Sequence, residues 1–144
     1  EQMNVTLEQA REIIRSALAK AREINLKPLS VVVLDAGGHV VAFERENGAS
    51  PGRFDLARGK AYGAVMLGMA GRAQMARAET HPHFIAAMNG LYGGKVVPVP
   101  GGVLLREKEG GPIIGAVGAT GDTSDNDVIA VLAGVATVGL IAED

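Results

Sequence analysis

Apolar and polar positions along this chain follow two rhythms, one of helices and one of strands. In "TLEQAREIIRSALAKAREI" the apolar residues Leu7, Ala10, Ile13, Ile14, Ala17, Leu18, Ala21 and Ile24 keep the three-and-four spacing of a helix with one buried face. Thr6 stands at its start with Gln9 three residues on, the spacing at which two side chains satisfy each other's free amides. Then "LSVVVLDAGGHVVAFERE" sets two β-branched runs around Asp35-Ala36-Gly37-Gly38. This predicts a β-hairpin with glycine where φ turns positive. "NGASPG" reads as a loop. "RFDLARGKAYGAVMLGMA" reads as a second helix, with Phe54, Ala57, Ala61, Ala64, Val65 and Gly68 as its inner stripe.

Residues 71 to 100 carry a weaker pattern. "GRAQMARAE" and "HPHFIAAMNG" suit two short helices, and "YGGKVVPVPGG" a loop leading to a strand. "GGVLLREKEGGPIIGAVGAT" repeats the hairpin signature around "KEGG". In "TSDNDVIAVLAGVATVGLIAED", Ser124 with Asp127 repeats the capping spacing. Val128, Leu132, Val135, Val138 and Leu140 continue an apolar helix whose small residues imply close packing. Hairpins interleaved with helices point to an α+β fold rather than a parallel sheet. No repeat, low-complexity tract or boundary divides the chain, so residues 1–144 read as a single domain.

Composition narrows the function. The 144 residues include no Cys, which excludes disulfides, thiolate nucleophiles and zinc–sulfur sites. Lys and Arg number 14 against 16 Asp and Glu, so no basic footprint for nucleic acid exists. No apolar run has membrane length, and no signal peptide is visible. A cytoplasmic protein is expected, with a secreted or periplasmic one not excluded. The 20 glycines are about twice the usual share and, without high polarity, imply a tightly turned fold.

Glu79, His81, Pro82 and His83 form the first chemical candidate. Proline keeps the residue before it extended, and residues two apart in extended chain share a side. His81 and His83 can therefore converge on one metal, with Glu79 completing a two-histidine, one-carboxylate set. Haem demands less, a single imidazole on an open face of the iron. The plain alternative is a surface loop with Pro82 opening the next helix. His39 sits at a hairpin turn, where an exposed residue is expected.

Asp55 and Arg58 stand three apart on the second helix, where a local ion pair is the ordinary outcome. Lys60 falls on another face. Arg58 and Lys60 together would suit a carboxylate, and the adjacent Gly101 and Gly102 would expose amides to an anion. Asp122, Asp125 and Asp127 read as caps of the last helix, and their spacing departs from an EF-hand. Tyr92 reads as a packing residue or a ligand-stacking one. Met66, Met69 and Met88 read as core or oligomer filler.

The runs "VVVLDAGGHVVAFERENGASPGRFDLARGKA" and "VPGGVLLREKEGGPIIGAVGATGDTSDND", in this order and spacing, resemble the GlcG/HbpS-like family, also called the haem-degrading domain family. They are similar too to the C-terminal domain of PduO-type proteins. One departure is local: the family's "PGGxPI" strand here reads Gly102-Val103-Leu104-Leu105, without the proline. The resemblance implies a five-stranded antiparallel sheet flanked by helices, profilin- or PAS-like, in a homo-oligomer (dimer, tetramer or octamer). It also implies haem as a possible cofactor, with haem handling or sensing as the role. Arg58 and Lys60 match recurring basic positions. Other members sit beside enzymes of glycolate, diol or aromatic-acid catabolism.

The residues and the resemblance together give a small-ligand binding protein, for haem or an organic acid. A small catabolic enzyme is the alternative, a hydrolase or isomerase acting on an organic acid or lactone. It would use His81 or His83 as general base and the Gly101 and Gly102 amides as oxyanion donors. A structural protein that assembles through its last helix is a third reading.

Overall fold

Thr6 opens the first helix as read from the sequence: its hydroxyl accepts the Gln9 amide at 3.1 Å, and the Gln9 side chain accepts the Thr6 amide at 3.0 Å. The computed structural model describes residues 1–144. In chain order come α1 (Leu7–Glu23), β1 (Ser30–Asp35), β2 (Val40–Arg45), α2 (Arg53–Leu67), α3 (Gly71–Thr80), α4 (Pro82–Leu91), β3 (Gly102–Arg106), β4 (Ile113–Thr120), α5 (Ser124–Ala136) and β5 (Ile141–Glu143). The strands form one five-stranded antiparallel sheet in the order β2-β1-β4-β3-β5. The fold is α+β, as expected.

The two predicted hairpins are β1–β2 and β3–β4, and β1 pairs with β4 to join them, Ser30 opposite Thr120 and Asp35 opposite Gly115. Period-two alternation then sends Val31, Val33, Val103, Leu105 and Val117 to one face and Val32, Leu34, Leu104 and Ala116 to the other. The first face packs under α1 and α5 in a cluster of 19 buried residues that includes Ile13 and Ile14. The second packs under α2 in a cluster of 7.

α2 sits very close to the sheet. A Cβ on Gly102 would overlap the Lys60 carbonyl, and one on Gly118 would overlap that of Ala57. Glycine at these two strand positions lets the helix backbone approach the strands. Beyond α2, the chain forms an arm, α3 and α4, which pack on each other and are joined through the single residue His81.

Two local expectations change. The last helix is capped by Thr123, whose hydroxyl accepts the Asn126 amide at 3.3 Å, rather than by Ser124. That helix also stops at Ala136, and the residues after the Gly139 turn form the edge strand β5. Three residues are too few for a strand rhythm to be read in sequence.

Candidate functional site

Lys60 is not a free cation. It is buried, with its Nζ donating to the Ala119 carbonyl at 3.0 Å and lying 3.5 Å from Asp127 Oδ2. Asp127 is buried as well; its Oδ1 accepts the Asp122 amide at 3.0 Å, while Oδ2 makes the ion contact without a hydrogen bond. Burial pushes the Lys60 ammonium below its ordinary pKa, a shift the Asp127 charge opposes and the nearby Arg53 charge reinforces. Burial likewise raises Asp127, against the Asp122 amide and Lys60. Gly101, at φ 119°, lies against the Lys60 side chain: a Cβ there would fall 2.9 Å from Nζ. Gly101 and Gly102 are buried beneath α2. Asp127, read as a cap, thus couples α5 to α2.

Arg58 stays accessible. It lines an open hollow of about 320 Å³ with Asp55, Gly59, Gly94 and Lys95. Asp55 and Arg58 make no ion pair, although their spacing permits one, and both face the hollow. Lys95 also lies over the Tyr62 ring at 5.8 Å, and Tyr62 meets Tyr92 edge-on at 6.1 Å. Tyr92 is therefore part of an aromatic contact beside the hollow.

The histidines occupy the α3–α4 corner. His81 is the residue between the two helices, at φ −137° and ψ 65°, and His83 lies in the first turn of α4 behind Pro82. Both are exposed, with ring centroids 6.4 Å apart, and the one side-chain partner is Thr80 Oγ1, 2.9 Å from His81 Nδ1. The chain turns helical at Pro82, so the extended two-residue repeat expected for this pair is replaced by helical spacing. Glu79, His81 and His83 do not gather: no set of three His, Asp or Glu residues is placed to hold a metal ion. His39 is exposed at its turn, 3.2 Å from Asp35.

A residue the sequence did not single out completes the corner. Arg77, one turn before the end of α3, holds its guanidinium 4.9 Å from the centre of the Phe84 ring. The α3–α4 corner therefore combines two imidazoles, a cation and an aromatic ring. Its signal in the sequence, Arg77 and Phe84 seven apart, depends on two helices meeting at Pro82. The hollow that holds Arg58 and Lys95 lies past the other end of α4, about 15 Å away along a ten-residue helix. The imidazoles and the cations named from sequence are thus not one site within a single chain.

Residues 5–136 match the family model described as haem degrading protein HbpS-like. The chain belongs to the HbpS-like family. A solved structure described as a PduOC:heme complex superposes with a TM-score of 0.84 at 22% identity, over 98% of this chain and 99% of that one. A double mutant of HbpS from Streptomyces reticuli gives 0.81 at 26% identity, over 96% and 90%. ORFY from Klebsiella pneumoniae gives 0.82 at 23%, over 94% and 92%. No match was found among curated proteins. No helix is long and apolar enough to cross a membrane.

Haem makes two demands, a donor for iron and cover for the porphyrin faces. The exposed imidazoles meet the first. For the second, the chain offers open hollows of about 220 to 460 Å³; four have few apolar residues at their edges, and the fifth, with Met3, Ala36, Pro112 and Ile113, lies away from the α3–α4 corner. Apolar side chains do stand exposed on the arm, Met75 on α3 and Leu91 on α4.

Proposed function

We propose that this protein binds a haem-type ligand at the α3–α4 corner, with His81 or His83 as the donor to iron. The observation that carries the reading is the exposure of two imidazoles, free of any acid partner, on one corner of an HbpS-like chain. A neutral imidazole is the commonest protein donor to metals. Arg77 is the cation in reach of a propionate, and guanidinium pairs with carboxylate through two parallel hydrogen bonds. The crystal of the similar PduOC protein with heme supports the same ligand class. Met75 supplies part of the apolar cover, and a second copy of the chain supplies the rest, which makes the loaded form a homo-oligomer. The role is haem handling or sensing.

A second reading rests on a different observation. Arg58 and Lys95 line one hollow beside Asp55, two cations suited to a small organic acid. In that case an organic acid, rather than haem, is what the protein holds or converts.

Titration with haemin separates the two. The haem reading expects a shifted Soret band that saturates at stoichiometric haemin. The shift is retained in His39→Ala and lost when the donor histidine is replaced, His81→Ala or His83→Ala. No shift at stoichiometric haemin, or an unchanged shift in the double variant, would overturn it.

A further inference from the structure

A second ligand position lies at the other end of the sheet, away from the histidines. β1 begins at Ser30, β2 ends at Arg45 and β4 ends at Thr120, and Ser30 pairs with both of the others. The loops before β1, after β2 and after β4 therefore converge. They enclose a cavity of about 220 Å³ whose lining includes Lys27, Ser50, Arg53 and Gly121. Gly121, at φ 152°, is pressed against Pro28: a Cβ there would overlap the Pro28 carbonyl. That contact forms one wall. The opposite wall is the start of α2, where Gly52 caps the helix and has no side chain to fold back on it.

The charges at this place do not balance. Arg53 is half-buried, and its Nη1 donates to Thr120 Oγ1 at 2.8 Å. It has no carboxylate within ion-pair distance. Below it lies the Lys60–Asp127 pair, which cancels itself. Asp122 accepts the Lys27 amide at 2.8 Å, which keeps its charge beside Lys27, and Glu46, on the same loop as the cavity, is held by Arg22 at 3.1 Å. One positive charge remains, on the guanidinium that forms the cavity wall. Ser30 adds a fully buried hydroxyl without a partner, across the strands from Thr120 and on the same face of the sheet.

We infer that this cavity binds a small carboxylate, gripped by the free edge of Arg53 with Lys27 at the mouth. A guanidinium fixed at one nitrogen and open along its other edge presents the planar fork that carboxylates fit. The positive end of α2 points the same way. The volume admits a few-atom acid and excludes a porphyrin, so this position is separate from the haem-type reading and stands or falls without it.

The test is a titration of ¹⁵N-labelled protein with sodium acetate, matched by sodium chloride at equal ionic strength. Acetate is expected to give saturating shifts at residues 27, 48–54 and 121, and chloride none. Arg53→Gln is expected to weaken acetate binding at least about tenfold, with Arg15→Gln, on the exposed side of α1, unchanged. Lys27→Gln, a change at an exposed residue, is expected to weaken it about twofold. Contacts from the acetate methyl to Gly48 and Ala49 protons in the unmodified protein give a readout that no variant's folding affects. Shifts that fail to saturate, equal binding by a folded Arg53→Gln variant, or missing methyl contacts at saturation would each overturn the proposal.

Discussion

The two faces of the sheet are built from different materials. Under α1 and α5, Ile13, Ile14, Leu29, Leu105 and their neighbours fill the space with branched side chains. Under α2, the buried contacts are mostly alanine, with Gly102 and Gly118 meeting the helix backbone directly. The α2 side also holds the buried polar groups Ser30, Lys60, Gln74 and Thr120, together with Asp127 reaching across from α5. Side chains that interdigitate can shift to absorb a change, whereas backbone on backbone cannot. The oily face supplies most of the burial energy, and the glycine face fixes the position of the helix that carries Arg53, Arg58 and Lys60. The groups of the proposed ligand positions lie on α2, on or just past the arm that follows it, or in the loops gathered at the start of α2.

The sharpest way to break the contrast is to uncouple the buried pair. Lys60→Met leaves Asp127 charged and uncompensated, and breaking such a pair costs about 3–5 kcal/mol. The double change Lys60→Met with Asp127→Leu is expected to recover most of that loss, since apolar replacements of buried pairs are often neutral. Denaturant unfolding of the three proteins measures it. If the single variant loses no stability, the pair is not the tie between α2 and α5. On the oily face, Ile14→Ala is expected to cost about 3 kcal/mol through the cavity it leaves, with no change in ligand binding. Gly118→Ala adds only a methyl, yet it is expected to cost about 2 kcal/mol, because the Ala57 carbonyl occupies that space. A loss under about half a kcal/mol would show that α2 has room to move.

The smallest expected effect is a pH response. The amides of Lys27 and Thr123 and the Asn126 side chain hold Asp122 well down, at about 2. A carboxylate depressed below its unfolded value of about 3.9 adds stability that is complete above that value. The stability is then lost as pH falls toward about 2. Asp122→Asn is expected to flatten the acid limb of the unfolding curve between about pH 4 and pH 2 and to lower stability at neutral pH, where the carboxylate's contribution is complete. An unaltered limb would contradict the bonding seen at the turn before α5.

Much of this contrast could be read from the chain. The Thr6–Gln9 box, both hairpins and the apolar stripe of α1 follow from local spacing, and they formed as expected. Lys60 could not be placed that way. A lysine between Gly59 and Ala61 looks like a surface residue, and only the approach of α5 brings Asp127 to it. The same holds for Arg53, whose partner Thr120 is 67 residues away, and for Arg77 with Phe84, which meet only because the chain reverses at His81. Spacing encodes elements, while sites arise from crossings between them.

The central claim is that ligand chemistry belongs to the α2 side and its arm, and structure to the α1 and α5 side. Haemin added to ¹⁵N-labelled protein tests it most directly, because ferric iron broadens the signals of nearby amides. The account predicts that broadening starts at Arg77–Phe84 and spreads along α3 and α4, while the amides of α1 and α5 stay sharp. Broadening centred on α1 or α5, with the α3–α4 corner untouched, would contradict it.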